Sequence, residues 1–402
     1  MNNFDFYNPV RVHFGAGQLE NIGEIASGLG RRGCVVSYKD LGPLESVCDR
    51  LIGLLKQKGI TVFTFFNAEP NPDISTIELG AEFCRDNSID FVIGLGGGSA
   101  MDAAKAISAA VYYDGEAWNM VYSRHDEVKA VPPEKALPMI MIPPLPATGS
   151  EMNQCSVVSN RALKEKSYIW AECLYPKAAV IDPELTLTLP SYQTACAAAD
   201  SISHVLEIYI NGEEDTPLQH SFQEGIMRTV IDNVHLALAE PGNINARANL
   251  QWAATCAING WASPGDAWTP IHQVAHNLTS LYGIAHGASL SALMPAWMKT
   301  FKSRRTSRYF NFAVNVMRVN PEGKEETAVI DEGIKKFEDF LRVIGVPVSL
   351  KELGIPARGI PEIISGVRTV SFNGEDVLSC NPPVTAEDLR LMLENADPAG
   401  EI

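Results

Sequence analysis

The sequence lacks the features that would hold a metal through sulfur. Its eight cysteines are scattered along the chain and none forms a C-x-x-C pair. This spacing excludes a disulfide framework and a thiolate zinc site, and most of the cysteines are expected to be small buried apolar residues. Any metal bound by this chain must therefore be held by nitrogen and oxygen.

Positive charge and long apolar runs are also scarce. Lysine and arginine number 32 against 48 acidic residues, and the formal net charge of −16 disfavours nucleic acid or an anionic membrane as a partner. The one basic stretch, 302–308, is predicted to be a solvated helix face. No apolar run reaches the roughly 18 to 20 residues that span a bilayer. The N-terminus has no basic head or apolar core of a signal peptide, so a cytoplasmic protein is expected.

The first half does contain an alternation of short β-rich runs and helical patterns. Strands are predicted at 33–38, 60–66, 90–96 and 136–142, and helices at 46–59, 75–87 and 99–113. Near-continuous apolar strands separated by helices indicate a parallel sheet covered on both faces.

From residue 191 onward the periodicity is almost entirely helical. The predicted helices are 191–210, 218–239, 246–262, 271–282, 331–345 and 386–396. The last of them opens on Thr385 and Asp388 in the positions of a capping box. The predicted fold is an α/β domain over residues 1–187 followed by an all-helical domain over residues 188–402.

Glycine is concentrated after the third predicted strand, in GLGGGSAMDAAKAI. Gly96, Gly97 and Gly98 have no Cβ, so the backbone can approach a ligand closely. Ser99, with Asp102 three residues on, is predicted to cap the helix that follows, whose free N–H groups favour a diphosphate. Phosphate binding is favoured over a plain tight turn. The loop departs from the usual Rossmann fingerprint, because Ser99 replaces the third glycine and the strand is a late one.

A reader of the dinucleotide ribose is expected at the end of an earlier strand, in SYKDLGP. Asp40 there can accept a 2′-hydroxyl and repel a 2′-phosphate, whereas Lys39 can do the opposite. The choice between NAD and NADP stays open, with a slight preference for NAD. An ordinary turn is an equally good interpretation.

Histidine is scarce but clustered: three of the eight lie within HQVAHNLTSLYGIAHG. His272 and His276 are four residues apart, as are Asp200 and His204, so each pair projects from one helix face. A turn before His286 lets that residue return to the same place. One carboxylate with imidazoles suits Zn²⁺ or Fe²⁺ better than Mg²⁺ or Ca²⁺. An Asp–His pair is more often a surface pair, but Asp200 lies among apolar residues, where a carboxylate needs a strong partner.

One histidine of the cluster is spare. With Asp200, His204, His272 and His286 a cation has four protein ligands. His276 then lies one helical turn beyond His272, near the metal without binding it. Its imidazole is placed to relay a proton.

Together, GGGSAMDAAKAI, LPATGSEMN, AADSISHVLE and the H-x-x-x-H stretch ending in HG resemble the iron-containing alcohol dehydrogenase family. The opening MNNFDFYNPVRVHFGAG, QWAATCAING and the tail CNPPVTAEDLRLMLENA resemble its butanol dehydrogenase branch. The resemblance covers nearly the whole chain. It implies a Rossmann-like dinucleotide-binding domain, then a helical metal-binding and catalytic domain, and a homodimer.

The resemblance also assigns residues to roles. The implied metal ligands are Asp200, His204, His272 and His286. The implied contacts to the cofactor are the phosphate loop Gly96, Gly97, Gly98 and Ser99, together with Thr148, Ser150, Asn153 and Lys166.

The chain departs from the branch at two places. Where butanol-type relatives often carry a glycine- and serine-rich turn that admits the 2′-phosphate of NADP, this chain has Tyr38, Lys39 and Asp40. Where relatives place threonines ahead of TGSE, it has Pro144 and Leu145, so a hydroxyl contact to the cofactor is absent.

The implied function is hydride transfer between NAD or NADP and a short-chain primary alcohol or aldehyde, with Fe²⁺ or Zn²⁺ as Lewis acid. Trp252, Trp261 and Trp268 are candidates for an apolar substrate pocket, although core packing is favoured for them. Two alternatives are a metal-dependent hydrolase, which has no use for the glycine loop, and a non-catalytic sensor of NAD(P) or metal.

Overall fold

The computed structural model describes residues 3–122, 130–163, 165–212, 215–263 and 269–397. Contacts between residues divide the chain into two compact units. One unit is Tyr7–Leu189, and the other joins Met1–Phe6 to Pro190–Ile402. The first unit thus ends at residue 189, where the sequence predicts a boundary at 187. The grouping of the N-terminal six residues with the second unit has no signal in the sequence.

The first unit contains a parallel sheet. The described strands are β1 (Arg11–Phe14), β2 (Arg32–Tyr38), β3 (Thr61–Ala68), β4 (Phe91–Leu95), β5 (Met139–Ile142), β6 (Cys155–Asn160), β7 (Glu165–Trp170) and β8 (Ala178–Ile181). The main sheet has the order β1-β8-β5-β4-β2-β3, and every neighbouring pair in it is parallel. The predicted parallel sheet is confirmed, with β2 to β5 at the four predicted positions.

Helices cover both faces of this sheet because its inner strands are apolar on both sides. The helices are α1 (Ile22–Ser27), α2 (Glu45–Gln57), α3 (Ile74–Asp86) and α4 (Gly98–Ala110). On β4, Phe91 and Ile93 belong to the apolar cluster that includes α1 and α2, whereas Val92 belongs to the cluster that includes α3 and α4. A strand buried on both faces has a continuous apolar sequence, so it can be predicted from the sequence.

The strand order places a switch point beside the glycine loop. β2 continues through α2 to β3 on one side, whereas β4 continues through α4 to β5 on the other side. The carboxyl ends of β2 and β4 are therefore neighbours where the connections diverge, which is where open parallel sheets bind ligands. The stretches 38–40 and 96–98 both lie at this edge.

Among the strands and α-helices of the first unit, α1, β1, β8 and the pair formed by β6 and β7 have no counterpart in the sequence prediction. β1 and β8 are four residues each, too short for a periodic pattern. β6 and β7 form an antiparallel hairpin, from Cys155 opposite Trp170 to Asn160 opposite Glu165. Its strands mix polar and apolar residues and give only a weak signal.

The second unit is helical, as predicted. Its described α-helices are α5 (Ser191–Asn211), α6 (Pro217–Ala239), α7 (Ile244–Ala257), α8 (Pro270–Tyr282), α9 (His286–Phe301), α10 (Thr306–Asn311), α11 (Glu326–Val343), α12 (Ile360–Ser371) and α13 (Ala386–Asn395). The capping box of α13 is confirmed, because Thr385 Oγ1 accepts the Asp388 N–H and the Asp388 carboxylate accepts the Thr385 N–H. α9 was not predicted as a helix: 13 of its 16 residues are buried, which leaves no polar face to produce a period.

The basic stretch 302–308 is not simply a solvated helix face, so that prediction is wrong in part. Arg305 and Arg308 are buried. Arg305 donates to the carbonyl oxygens of Gly212 at 2.6 Å and Asn381 at 3.2 Å, and Arg308 lies 2.8 Å from a ring nitrogen of His220. In the described part of the chain, no helix is long and apolar enough to cross a membrane.

Candidate functional site

Helix α5 supplies the first two side chains of the histidine cluster. Asp200 and His204 lie one turn apart on it and are both buried, with 4% and 5% of their surface exposed. The alanines around Asp200 are small, so neighbouring helices can pack closely along this face. The predicted projection of the pair from one helix face is what brings both side chains into the helical core.

The other histidines come from α8 and α9. His272 lies in the first turn of α8, which ends at Gly283 in a left-handed conformation with φ of 67°. The chain then turns back, and His286 is the first residue of α9. The glycine after it is required by packing, because a Cβ at Gly287 would collide with the carbonyl oxygen of Cys196 on α5. This close approach of α9 to α5 carries His286 to the cluster.

The three imidazoles converge on one carboxylate oxygen. Oδ1 of Asp200 lies 3.7 Å from His204 Nε2, 3.7 Å from His272 Nε2 and 4.0 Å from His286 Nε2. Ligand atoms of Asp200, His204 and His272 all lie within 4.8 Å of one another. These separations are long for hydrogen bonds. They are close to the roughly 3.3 to 3.6 Å between ligands that share one tetrahedral cation at about 2.0 to 2.2 Å.

Unpartnered polar atoms at the same point show that the residues fit a cation. Among the described residues, Asp200 Oδ1 and His272 Nε2 are buried without a hydrogen-bond partner. Such orphaned atoms are costly and need an explanation. A divalent cation would satisfy both, and a donor set of one carboxylate with imidazoles suits Fe²⁺ or Zn²⁺.

The cluster perturbs its own protonation equilibria. Burial would raise the pKa of Asp200, but His204, His272 and His286 hold it well below its usual range. Burial lowers the pKa of His204 to about 4, against the attraction of Asp200. Burial would also lower the pKa of His272, but the carboxylates of Glu207 and Asp200 raise it to about 9.

Glu207 is a site residue that the sequence prediction missed. It is fully buried on α5, one turn after His204, and pairs with Nδ1 of His272. It also accepts the backbone N–H groups of Ile271 at 2.6 Å and His272 at 3.3 Å. The sequence feature that could have indicated this role is the position of Glu207, three residues after the candidate ligand His204 in an otherwise apolar helix.

His276 lies beside the cluster. It is half-buried, and its ring centroid is 5.2 Å from that of His286 and 6.3 Å from that of His272. Its ring is nearly parallel to that of His286, at 27°. The structure therefore brings His276 next to His286, on the edge of the group of residues that surrounds Asp200.

The glycine loop of the first unit leads from β4 into α4. A Cβ at Gly96, where φ is 145°, would lie 2.7 Å from Cβ of Ala100, and one at Gly98 would lie 2.6 Å from Cγ2 of Thr148. The ring of Tyr38 packs over Gly96 and Gly97. Burial raises the pKa of Tyr38, against hydrogen bonds from the backbone of Gly97 and Ala100. The glycines are thus needed for contacts within the protein as well as for any ligand.

The predicted cap of α4 is wrong. Gly97 is the N-cap and makes no side-chain capping bond, while Ser99 is inside the helix and its Oγ accepts the N–H of Asn71 at 3.3 Å. Asp102 points elsewhere: it accepts the Ser150 hydroxyl at 2.7 Å and the Val157 N–H at 3.1 Å. Neither the N-cap residue nor Ser99 and Asp102 therefore form the predicted capping box.

A buried lysine fixes the segment after β5 to α4. Nζ of Lys105 is fully buried and donates to Ser150 Oγ, to the Asn153 carbonyl and amide oxygens and to the Cys155 carbonyl, at 2.8 to 3.0 Å. Burial lowers the pKa of Lys105 to about 8, against the attraction of Asp102. Ser150 and Asn153, predicted to contact the cofactor, are thus engaged with Lys105.

The remaining predicted cofactor residues lie in the first unit. Lys166 Nζ donates to the Asn71 side chain at 2.8 Å, and Thr148 is half-buried against Gly98. Asp40 is exposed after β2, and its Oδ1 accepts the N–H of Gly42 at 3.0 Å.

Two of the three tryptophans that are candidates for a substrate pocket lie in the described part of the chain. Trp252 and Trp261 are 36% and 42% exposed and meet edge to face at 6.3 Å between ring centroids. The expectation that they pack in the core is wrong. Trp268 lies outside the described residues.

Both units have relatives among known proteins. The family model for iron-containing alcohol dehydrogenase matches residues 9–183, and the C-terminal model of the Fe-containing alcohol dehydrogenase family matches residues 194–385. NADH-dependent butanol dehydrogenase A of Clostridium acetobutylicum is 36% identical over 391 residues, covering 97% of this chain and 98% of the relative. NADPH-dependent aldehyde reductase YqhD of Escherichia coli is 31% identical, covering 98% and 100%.

A solved structure extends this similarity to the fold. The crystal structure of NADH-dependent butanol dehydrogenase A from Thermotoga maritima aligns with a TM-score of 0.89 at 33% identity. The alignment covers 98% of this chain and 99% of that one.

Proposed function

This chain belongs to the iron-containing alcohol dehydrogenase family and is a metal-dependent, NAD(P)-linked alcohol dehydrogenase and aldehyde reductase; we propose that it acts on short-chain primary alcohols and their aldehydes. The resemblance to the family and to its butanol dehydrogenase branch is confirmed. The proposed metal ligands are Asp200, His204, His272 and His286. The observation that carries them is the convergence of three imidazoles on Asp200 Oδ1 at 3.7 to 4.0 Å.

Asp200, His204, His272 and His286 would hold the cation that binds the reacting oxygen of the substrate. When bound, Fe²⁺ or Zn²⁺ supplies a Lewis acid for the substrate oxygen. Asp200, His204 and His272 are buried, so little water would compete for these ligand atoms. His276, beside the cluster, would exchange the proton that accompanies hydride transfer.

The dinucleotide is proposed to bind to the α/β domain, residues 1–187, at the switch point of the sheet. Gly96 and Gly97 lead into α4, which begins with Gly98 and Ser99, and backbone N–H groups at this helix start favour a diphosphate. Thr148 and Lys166 would contact the cofactor directly. Ser150 and Asn153 would act by holding their segment against Lys105.

The choice of dinucleotide is predicted to depend on Asp40. Asp40→Asn removes a negative charge but keeps an oxygen that can accept the Gly42 N–H. The ratio of kcat/KM for NADPH to that for NADH should rise, because the repulsion between Asp40 and the 2′-phosphate is removed. The expected rise is only about tenfold, since solvent screens an exposed charge. Steady-state kinetics with both cofactors measure the ratio. Asp40→Gly should shift it in the same direction, and an unchanged ratio in both variants would show that Asp40 does not read the ribose.

His276 is predicted to serve the proton transfer and not the metal. His276→Ala should keep the full metal content and lower kcat by about 10²-fold, the lower end of the range for general acid–base catalysis. Metal analysis and turnover on the same preparation give both quantities. Loss of the metal would make His276 a ligand, and unchanged kcat would remove it from the reaction.

The protein is further proposed to be a cytoplasmic homodimer. Both proposals rest on the similarity of the chain to its family. Light scattering on the purified protein tests the dimer.

A reductase assay tests the function as a whole. Protein loaded with Fe²⁺ or Zn²⁺ is given NADH or NADPH and aldehydes from acetaldehyde to hexanal, and the absorbance of the reduced nicotinamide is followed. Oxidation of the cofactor that depends on the aldehyde and the metal is expected. Binding of NADH without turnover of any aldehyde would favour a sensor, and ester cleavage without oxidation of NADH would favour a hydrolase.

A further inference from the structure

We propose that Glu207 is a positioning residue that sets the tautomer of His272, so that Nε2 of this imidazole presents its lone pair to the cation. The inference rests on the proposed metal site and adds a residue to it. It concerns which nitrogen of His272 carries hydrogen, a choice that the four ligands themselves do not determine.

The contacts of Glu207 leave its carboxylate little freedom. It lies seven residues after Asp200 on α5, two turns along the same helix face, and no part of it is exposed. One oxygen accepts the N–H groups of Ile271 and His272. These groups belong to the first turn of α8, where the helix itself offers no acceptor. The other oxygen pairs with His272 Nδ1.

An ionised carboxylate can only accept hydrogen bonds, so Nδ1 of His272 must be the donor in this pair. With the hydrogen on Nδ1, the neutral ring has its lone pair on Nε2. This atom lies 3.7 Å from Asp200 Oδ1 and has no hydrogen-bond partner among the described residues. Glu207 would therefore act on the metal centre through His272.

Glu207→Gln reverses this preference with almost no change in shape. The amide oxygen of the new side chain can accept hydrogen bonds either from the two backbone N–H groups or from the ring. The amide NH₂ then faces the other partner. The backbone offers two N–H donors and the ring at most one, so the amide oxygen is expected to face the backbone. The NH₂ then faces Nδ1, which must accept, and the ring hydrogen moves to Nε2, where it blocks the metal.

The test compares metal affinity with folding in Glu207→Gln and in a matched control. Asp182→Asn makes the same carboxylate-to-amide change at a fully buried residue that also accepts backbone N–H groups, from Gly17 and Leu19, but lies in the other unit. Zn²⁺ affinity is measured by competition with a chromophoric chelator, and the melting temperature is measured without metal. We expect E207Q to bind Zn²⁺ about 10- to 100-fold more weakly. D182N should keep wild-type affinity, whatever its melting temperature.

Several results would overturn the proposal. Wild-type Zn²⁺ affinity in folded E207Q would show that Glu207 only anchors α8. An equal loss in D182N would show that general destabilisation is responsible. A wild-type protein that binds no Zn²⁺ would instead contradict the proposed function.

A second measurement decides the matter if E207Q does not fold. In wild-type protein loaded with Zn²⁺ and labelled with ¹⁵N-histidine, His272 should show a protonated Nδ1 and a metal-bound Nε2. The signal is assigned by through-bond correlation to the backbone of His272 in protein that is also labelled with ¹³C. A hydrogen on Nε2 of His272 would refute the inference.

Discussion

Replacing His272 by Ala is expected to abolish tight metal binding and to lower kcat/KM for aldehyde reduction by about 10³-fold. This rate loss corresponds to roughly 4 kcal/mol of Lewis-acid stabilisation. The change removes an imidazole that is paired with Glu207 and lies 3.7 Å from Asp200 Oδ1. Metal content by elemental analysis and steady-state kinetics on the same preparation measure the two effects.

His235→Ala is the matched control for this substitution. His235 is exposed on α6, and its ring packs edge to face on Phe340, 5.4 Å between centroids. It should retain the metal and wild-type turnover. Full metal content together with full turnover in His272→Ala would contradict the proposed ligand set.

Replacing Lys105 by Met is expected to destabilise the α/β unit by about 3–5 kcal/mol, the usual cost of removing one partner from a buried charged network. The ammonium has four oxygen acceptors, which Met cannot satisfy, and its charge balances that of nearby Asp102. Urea unfolding followed by tryptophan fluorescence reports the loss, because Trp118 is buried in this unit.

Lys56→Met provides the comparison for this prediction. Lys56 is an exposed lysine in the last turn of α2. Its replacement should change stability by no more than about 0.5 kcal/mol. If Lys105→Met unfolds at the same urea concentration as Lys56→Met, the Lys105 network contributes nothing to stability.

The elements that the sequence predicts well are those in which local pattern and burial agree. β4 is apolar at every position because both of its faces are covered, and α2 and α11 have one polar and one apolar side. α9 has no such contrast, since it is buried nearly all round, and β1 is only four residues long. Periodicity cannot detect either case.

Helical spacing predicts two pairs of the histidine cluster, Asp200 with His204 and His272 with His276, but not the packing that brings them together with His286. Glu207 could not be assigned, since a glutamate one turn after a histidine is also typical of a solvated helix face. Only the packing of α8 against α5 shows that it meets a residue 65 positions away. The burial of Lys105 and Arg305 could not be predicted for the same reason, because it depends on partners that are distant in sequence.

The assignment of the N-terminal six residues to the helical unit means that this unit is not one continuous piece of chain. The ring of Phe6 lies 3.3 Å from where a Cβ at Gly260 would stand, and Gly260 has a φ of 95°. A fragment started at Pro190 would expose this glycine and the surface around it. The α/β unit is thus an insertion, in the topological sense, within a helical unit whose first segment is made before it and whose remainder is made after it.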